Sequence, residues 1–102
     1  SQASFEKAVS IDPTNAMANF SFGTSLLQQS ERLDEATGDM KQAEYVTYKK
    51  EVLEPLLKEA SVYLEKAYEL DNDMINALTN LKIIYYQLND AANLERVEKL
   101  LL

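Results

Sequence analysis

Few residues in this 102-residue chain can do chemistry, and their types narrow the possibilities at once. There is no histidine and no cysteine, so imidazole acid–base catalysis, thiolate nucleophiles and the common zinc ligand sets are all absent. Hydroxyls and carboxylates remain. None sits in a strand-to-helix elbow or a glycine-rich phosphate loop, and the sequence offers no catalytic, cofactor-binding or metal-ligating set. The acids gather in two places, at Glu31, Asp34, Glu35 and Asp39 and at Asp71-Asn72-Asp73. The second group begins like a calcium loop, but the glycine and closing glutamate that such a loop requires do not follow. Both read as solvated helix ends with acids near helix starts, where the helix dipole favours negative charge. Of the six tyrosines, Tyr63, Tyr68 and Tyr85 lie on or beside apolar stripes and read as core or boundary residues. Tyr45 and Tyr48 fall in a stretch where they either pack toward Leu33 or stay exposed. Tyr86 lies off the Leu78-Leu81-Tyr85 stripe and is the strongest candidate for contact with a partner.

The elements that position these residues are helices. Hydrophobic residues make up 46% of the chain and only two glycines and two prolines interrupt it, while Ala, Leu, Glu, Lys and Gln dominate and favour helix. No segment alternates apolar and polar residues over a strand's length. The spacing predicts an all-α fold of about five helices with no strands. The first runs over about 2–11, with Phe5, Ala8, Val9 and Ile11 on one face. Pro13 disfavours helix at Asp12, and Thr14 or Asn15 can cap the next start. The second helix runs from about Asn15 to Thr37. Gly38 is expected to end it in a left-handed conformation, with Asp39 and Gln42 forming a capping box for the third. From Met40 to Leu70 an apolar stripe of Val46, Leu53, Leu56, Leu57, Ala60, Leu64, Ala67 and Leu70 continues. Pro55 inside it predicts a kink or short break near Val52 to Glu54. Asp71-Asn72-Asp73 can cap a fourth helix over about 74–88, with Ile75, Leu78, Leu81 and Tyr85 inward. A fifth, from Ala91 to about Leu101, buries Leu94, Val97 and Leu101.

The chain also repeats. At an offset of 59 residues, Phe5-Glu6-Lys7-Ala8 aligns with Leu64-Glu65-Lys66-Ala67, Asp12 with Asp71, Ala18 with Ala77, Phe22 with Leu81 and Gln28 with Gln87. Self-similarity in so short a chain points to stacked helical hairpins.

These residues resemble the tetratricopeptide repeat (TPR) family. Phe5-x-x-Ala8 followed by Asp12-Pro13 matches the end of a family repeat, and Phe22-Gly23 with Leu26 matches the helix that follows. Ala60, Leu64 and Ala67, then Leu81 and Tyr85, carry the later copy. Asn19 stands where the family favours tryptophan, Lys82 replaces the glycine and Asn72 the proline. The resemblance implies a fragment of a right-handed α-solenoid forming one domain over 1–102. Residues 2–11 would be the second helix of a truncated repeat, 15–70 a long inserted hairpin and 74–101 the last hairpin. The 59-residue offset exceeds the family's 34-residue period by 25 residues, close to seven helical turns. Both arms of the middle hairpin are therefore expected to be lengthened by about three turns, with Gly38 at the tip and an overhang of roughly 15–20 Å.

The resemblance further implies a non-catalytic scaffold that holds a peptide or partner helix in a concave groove. Carried over, the groove takes Met17, Phe20, Ser21, Thr24 and Gln28 from the second helix. The fourth contributes Asn76, Thr79, Asn80, Ile83 and Tyr86, with Asn80 resembling the asparagine that some TPR grooves use on a peptide backbone. The lysines and arginines of a carboxylate clamp are missing. An alternative is a structural self-association module that assembles through the long hairpin or through exposed terminal helices, the latter as a homodimer covering Phe5, Val9 and Leu100-Leu101-Leu102. A net charge of −7 argues against nucleic acid and anionic membrane surfaces, and no apolar run is long enough to span a bilayer. The start at Ser1, without methionine, is read as that of an excised segment. The lack of cysteine suits either an oxidising or a reducing compartment.

Overall fold

The computed structural model describes residues Ser1–Leu102 and contains helices and turns only. Helix α1 spans Gln2–Ile11, α2 Ala16–Glu35, α3 Gln42–Tyr48, α4 Glu54–Leu70, α5 Ile75–Gln87 and α6 Ala91–Leu100. A π-helical segment, Lys49–Leu53, joins α3 to α4 without a break, so the chain forms five helical rods. Each rod packs against its neighbours in sequence, and α2 and α5 are the one additional pair whose Cα atoms come within 8 Å. The Cα trace is a slab of 42 × 33 × 16 Å.

The internal repeat is visible in the backbone. Asp12 closes α1 at φ −135°, ψ 87°, and Asp71 closes α4 at φ −145°, ψ 97°. In each turn the aspartate N–H donates to the alanine four residues back, Ala8 or Ala67, and the aspartate Oδ1 accepts from the N–H two residues on, at Thr14 or Asp73. Two short sequences with the same Asp at the same place thus make the same Asx-type turn, and α2 and α5 then start at corresponding residues.

The core lies among α2, α4 and α5, with Val97 added from α6. Phe22, Leu26, Leu57, Leu64, Leu78, Leu81, Ile84 and Val97 are almost fully buried, and burying each side chain contributes about 1.5–3 kcal/mol. Gly23 sets how closely α2 and α4 approach: a Cβ there would stand 2.8 Å from Leu64 Cγ and 3.1 Å from the Ala60 carbonyl oxygen. Asn19, only 2% exposed, donates to the carbonyls of Pro13 (3.0 Å) and Asn15 (2.9 Å). Asn19 therefore ties α2 to the preceding turn. Tyr85 is buried, and Tyr63 and Tyr68 pack against the core, Tyr63 edge-on to Phe22.

Several local expectations are corrected. Helix α2 stops at Glu35, and Gly38 has no positive φ. Thr37 instead holds the turn, donating from Oγ1 to the Asp34 carbonyl (2.6 Å) and accepting the Met40 N–H at 2.9 Å. No Asp39 capping box forms, because α3 begins after Lys41 with no side-chain cap. No side chain caps α5 either. The residue with positive φ is Asn89, at 56°, and Asp90 caps α6 by accepting the Asn93 N–H. Ile11, Val46, Leu70 and Ile75 are exposed rather than inward, since each lies at a helix end or, for Val46, on a helix with no buried residue.

Pro55 marks a change of helix type. It cannot donate to Glu51, and the chain accommodates this one turn earlier: the Glu54 N–H reaches back five residues to the Lys49 carbonyl. A π turn inserts one residue and rotates everything before it about the helix axis. The two arms of the middle hairpin run side by side along α2 and α4 and part only beyond the π turn, at α3. No Cα of α3 comes within 8 Å of one in α2, so the expected symmetric lengthening is replaced by a splayed arm.

Candidate functional site

Two surfaces bring polar and aromatic side chains together. The first is the band formed by α2 and α5. Both helices carry apolar residues on their inner faces, which leaves Met17, Phe20, Ser21, Thr24 and Gln28 in one row and Asn76, Thr79, Asn80, Ile83 and Tyr86 in another. The rows meet where Asn80 Nδ2 donates to Thr24 Oγ1 at 3.1 Å. That bond uses one amide hydrogen and leaves the Asn80 carbonyl oxygen for another donor. Met17 (59%), Ile83 (39%) and Tyr86 (73%) are exposed, as are Gln28, Asn76 and Thr79, whereas Phe20, Ser21, Thr24 and Asn80 are half-buried. Phe20 packs against the core, so it supports the band more than it presents a contact.

The second surface arises from the splayed arm. Between the C-terminal end of α2, the α3–π segment and the α5–α6 turn lies a cleft of about 500 Å³. Ser30 and Asp34 come from α2, Tyr45 from α3, Lys49 and Leu53 from the π turn, and Tyr86, Asn89 and Asp90 from the opposite side. Tyr45 Oη donates to Asp34 Oδ1 at 2.6 Å and spans the gap between the arms. That bond, with lesser contributions from burial and from the nearby carboxylate charge, raises the Tyr45 pKa above its ordinary value. Asp90 accepts from the Asn93 side chain (2.7 Å) and backbone (3.1 Å), and these bonds hold its pKa below the usual range. Lys49 is half-buried and makes no ion pair.

A polar clamp backs the cleft. Tyr85 Oη donates to Glu65 Oε2 at 2.8 Å, and Arg96 donates to the same oxygen, so α4, α5 and α6 meet on one carboxylate. Burial and the Glu65 bond push the Tyr85 phenol well above its ordinary pKa, and the same carboxylate raises that of Arg96. The hydroxyl is a poor nucleophile in this state, and the clamp is structural.

The ten residues proposed from sequence thus divide. Thr24 and Asn80 are bonded together, and Tyr86 belongs both to its row and to the cleft. Ser30, Lys49 and Asn89 were not among them. Pro55 was the one available signal for the cleft, through the turn it distorts. The acids Glu31, Asp34, Glu35 and Asp39 do not converge as a group of three around one point. No helix is long and apolar enough to cross a membrane. No protein-family model, curated protein or solved structure matches the chain.

Proposed function

We propose that this chain is a non-catalytic protein-interaction module of the tetratricopeptide kind, which holds a peptide or partner helix along the α2–α5 band. The observation that carries the reading is the Thr24–Asn80 hydrogen bond. It joins two rows of half-exposed residues from the two copies of the internal repeat, with a free amide oxygen at the centre and Met17, Ile83 and Tyr86 around it. A surface of that kind offers an extended ligand one backbone hydrogen bond and several apolar contacts. Packing of each helix on its sequence neighbours and the matched turns at Asp12 and Asp71 favour a stacked-repeat origin.

The test is affinity capture with wild type, Asn80→Ala and Tyr86→Ala, each checked for unchanged helicity. Loss of the same bound proteins from both variants supports the band. Identical sets from all three would discard it.

A second reading, self-association, draws on α1, which buries no residue and leaves Phe5 38% and Ile11 74% exposed. Light scattering across a concentration series separates the two. A dimer abolished by Phe5→Glu supports self-association, and a monomer at all concentrations rejects it.

A further inference from the structure

We propose that the cleft between the splayed arm and the α5–α6 turn receives an arginine side chain presented by a partner peptide. This rests on the reading of the chain as a peptide-binding module, but it concerns a second surface that shares only Tyr86 with the band. At about 500 Å³ the space falls within the range of ligand pockets and holds a long side chain with part of its backbone. Three tyrosines line it, Tyr45 on α3 and Tyr85 and Tyr86 on α5, and a guanidinium is attracted to such aromatic rings.

Charge points the same way. Asp34 and Asp90 line the cleft against one cation, Lys49, and the chain as a whole carries −7, so the field draws in positive groups. The tyrosine lining suits the planar guanidinium, which stacks on aromatic rings, better than the point charge of an ammonium. Ser30, 2% exposed, also lines the cleft and adds a hydroxyl to its wall. Lys49 opposes a cationic guest, and its removal therefore gives a test with a definite sign.

The experiment is an NMR titration of the full chain at low salt with capped alanine-based hexapeptides that carry two arginines, two lysines or two glutamates. The arginine peptide is expected to shift the signals of Tyr45, Lys49 and Tyr86 and to bind more tightly than the other two. Asp34→Asn should weaken it about tenfold, as loss of one charge-assisted hydrogen bond implies, while Lys49→Ala should tighten it several-fold. Asp34 is exposed and its side chain bonds only Tyr45, and asparagine keeps an oxygen that can accept that bond. Preference for the glutamate peptide, weakening by Lys49→Ala, or no movement of cleft signals at millimolar peptide overturns the proposal. Glu6→Gln, which removes a charge on α1 outside both surfaces, should leave arginine-peptide binding unchanged. If the arginine peptide moves signals only between Met17 and Ile83, the cleft fails while the band stands.

Discussion

Gly23 is where the fold is most exposed to a single added methyl group. Alanine favours a helix interior over glycine by about 1 kcal/mol, so on propensity alone Gly23→Ala should stabilise. Packing decides otherwise. The new Cβ would stand 2.8 Å from Leu64 Cγ and 3.2 Å from Leu64 Cδ2, and Leu64 is itself fully buried and has no free space to swing into. The third neighbour, 3.1 Å away, is the Ala60 carbonyl oxygen, which moves only if α4 moves. Overpacking of this kind costs roughly 1–3 kcal/mol, with the upper part of that range expected against a backbone atom. The net is a loss of about 1–2 kcal/mol, read by urea unfolding followed by circular dichroism at 222 nm. At about 4–8 °C per kcal/mol for a domain of this size, Tm should fall by several degrees. A double-mutant cycle isolates the contact. Leu64→Ala alone costs about 2–5 kcal/mol, and in the double variant the added methyl enters the vacated space. The double variant should therefore be more stable than the sum of the singles by about 1 kcal/mol or more. A Gly23→Ala protein more stable than wild type, or strictly additive costs, would falsify the close α2–α4 approach.

Gln29 gives a prediction of opposite sign: its Oε1 is buried without a partner, so the near-isosteric Gln29→Met should stabilise by about 1 kcal/mol, and a loss in urea melts would show that the oxygen has an acceptor role. In the Glu65 clamp, Glu65→Ala strands the Tyr85 hydroxyl and should cost about 1–3 kcal/mol, more than Tyr85→Phe and more than Arg96→Ala, whose half-exposed ion pair contributes roughly 0–1 kcal/mol; any other order in denaturation curves contradicts the clamp. The Tyr85 pKa is higher folded than unfolded, so its contribution is intact below pH ~10 and is lost as pH rises beyond that. An alkaline melt series should show this loss in wild type and a smaller one in Tyr85→Phe. The Asp90 pKa is lower folded than unfolded, so its cap is intact above pH ~4 and weakens as pH falls below that. Asp90→Ala should flatten the acid side of the stability profile, and an unchanged profile would remove the cap from the account.

The elements were largely legible because helix boundaries here are written in local chemistry. Proline after Asp12, aspartate at 12 and 71, and apolar residues at helical spacing act within one or two turns, and the observed α1, α2, α5 and α6 begin or end within about two residues of the expected places. Gly38 misled for a reason the sequence does not expose: Thr37 can close the same turn with its hydroxyl and its carbonyl, which leaves the glycine's conformational freedom unused. Val46 misled because helical spacing continues through the π turn on paper, whereas the extra residue rotates α3 away from the core stripe.

The sequence alone determined the helical class, the repeat with its twin turns, and the lack of histidine and cysteine chemistry, since all of these follow from residue type and short-range spacing. Tertiary structure decided how the arms of the long hairpin stand. The third rod turns π-helical over Lys49–Leu53, just before Pro55, and beyond that turn α3 stands clear of α2 beside the cleft. The pairing of Thr24 with Asn80, and the meeting of Tyr45 with Asp34 across that gap, join residues brought together only by helix packing, a geometry with no local signature in the chain.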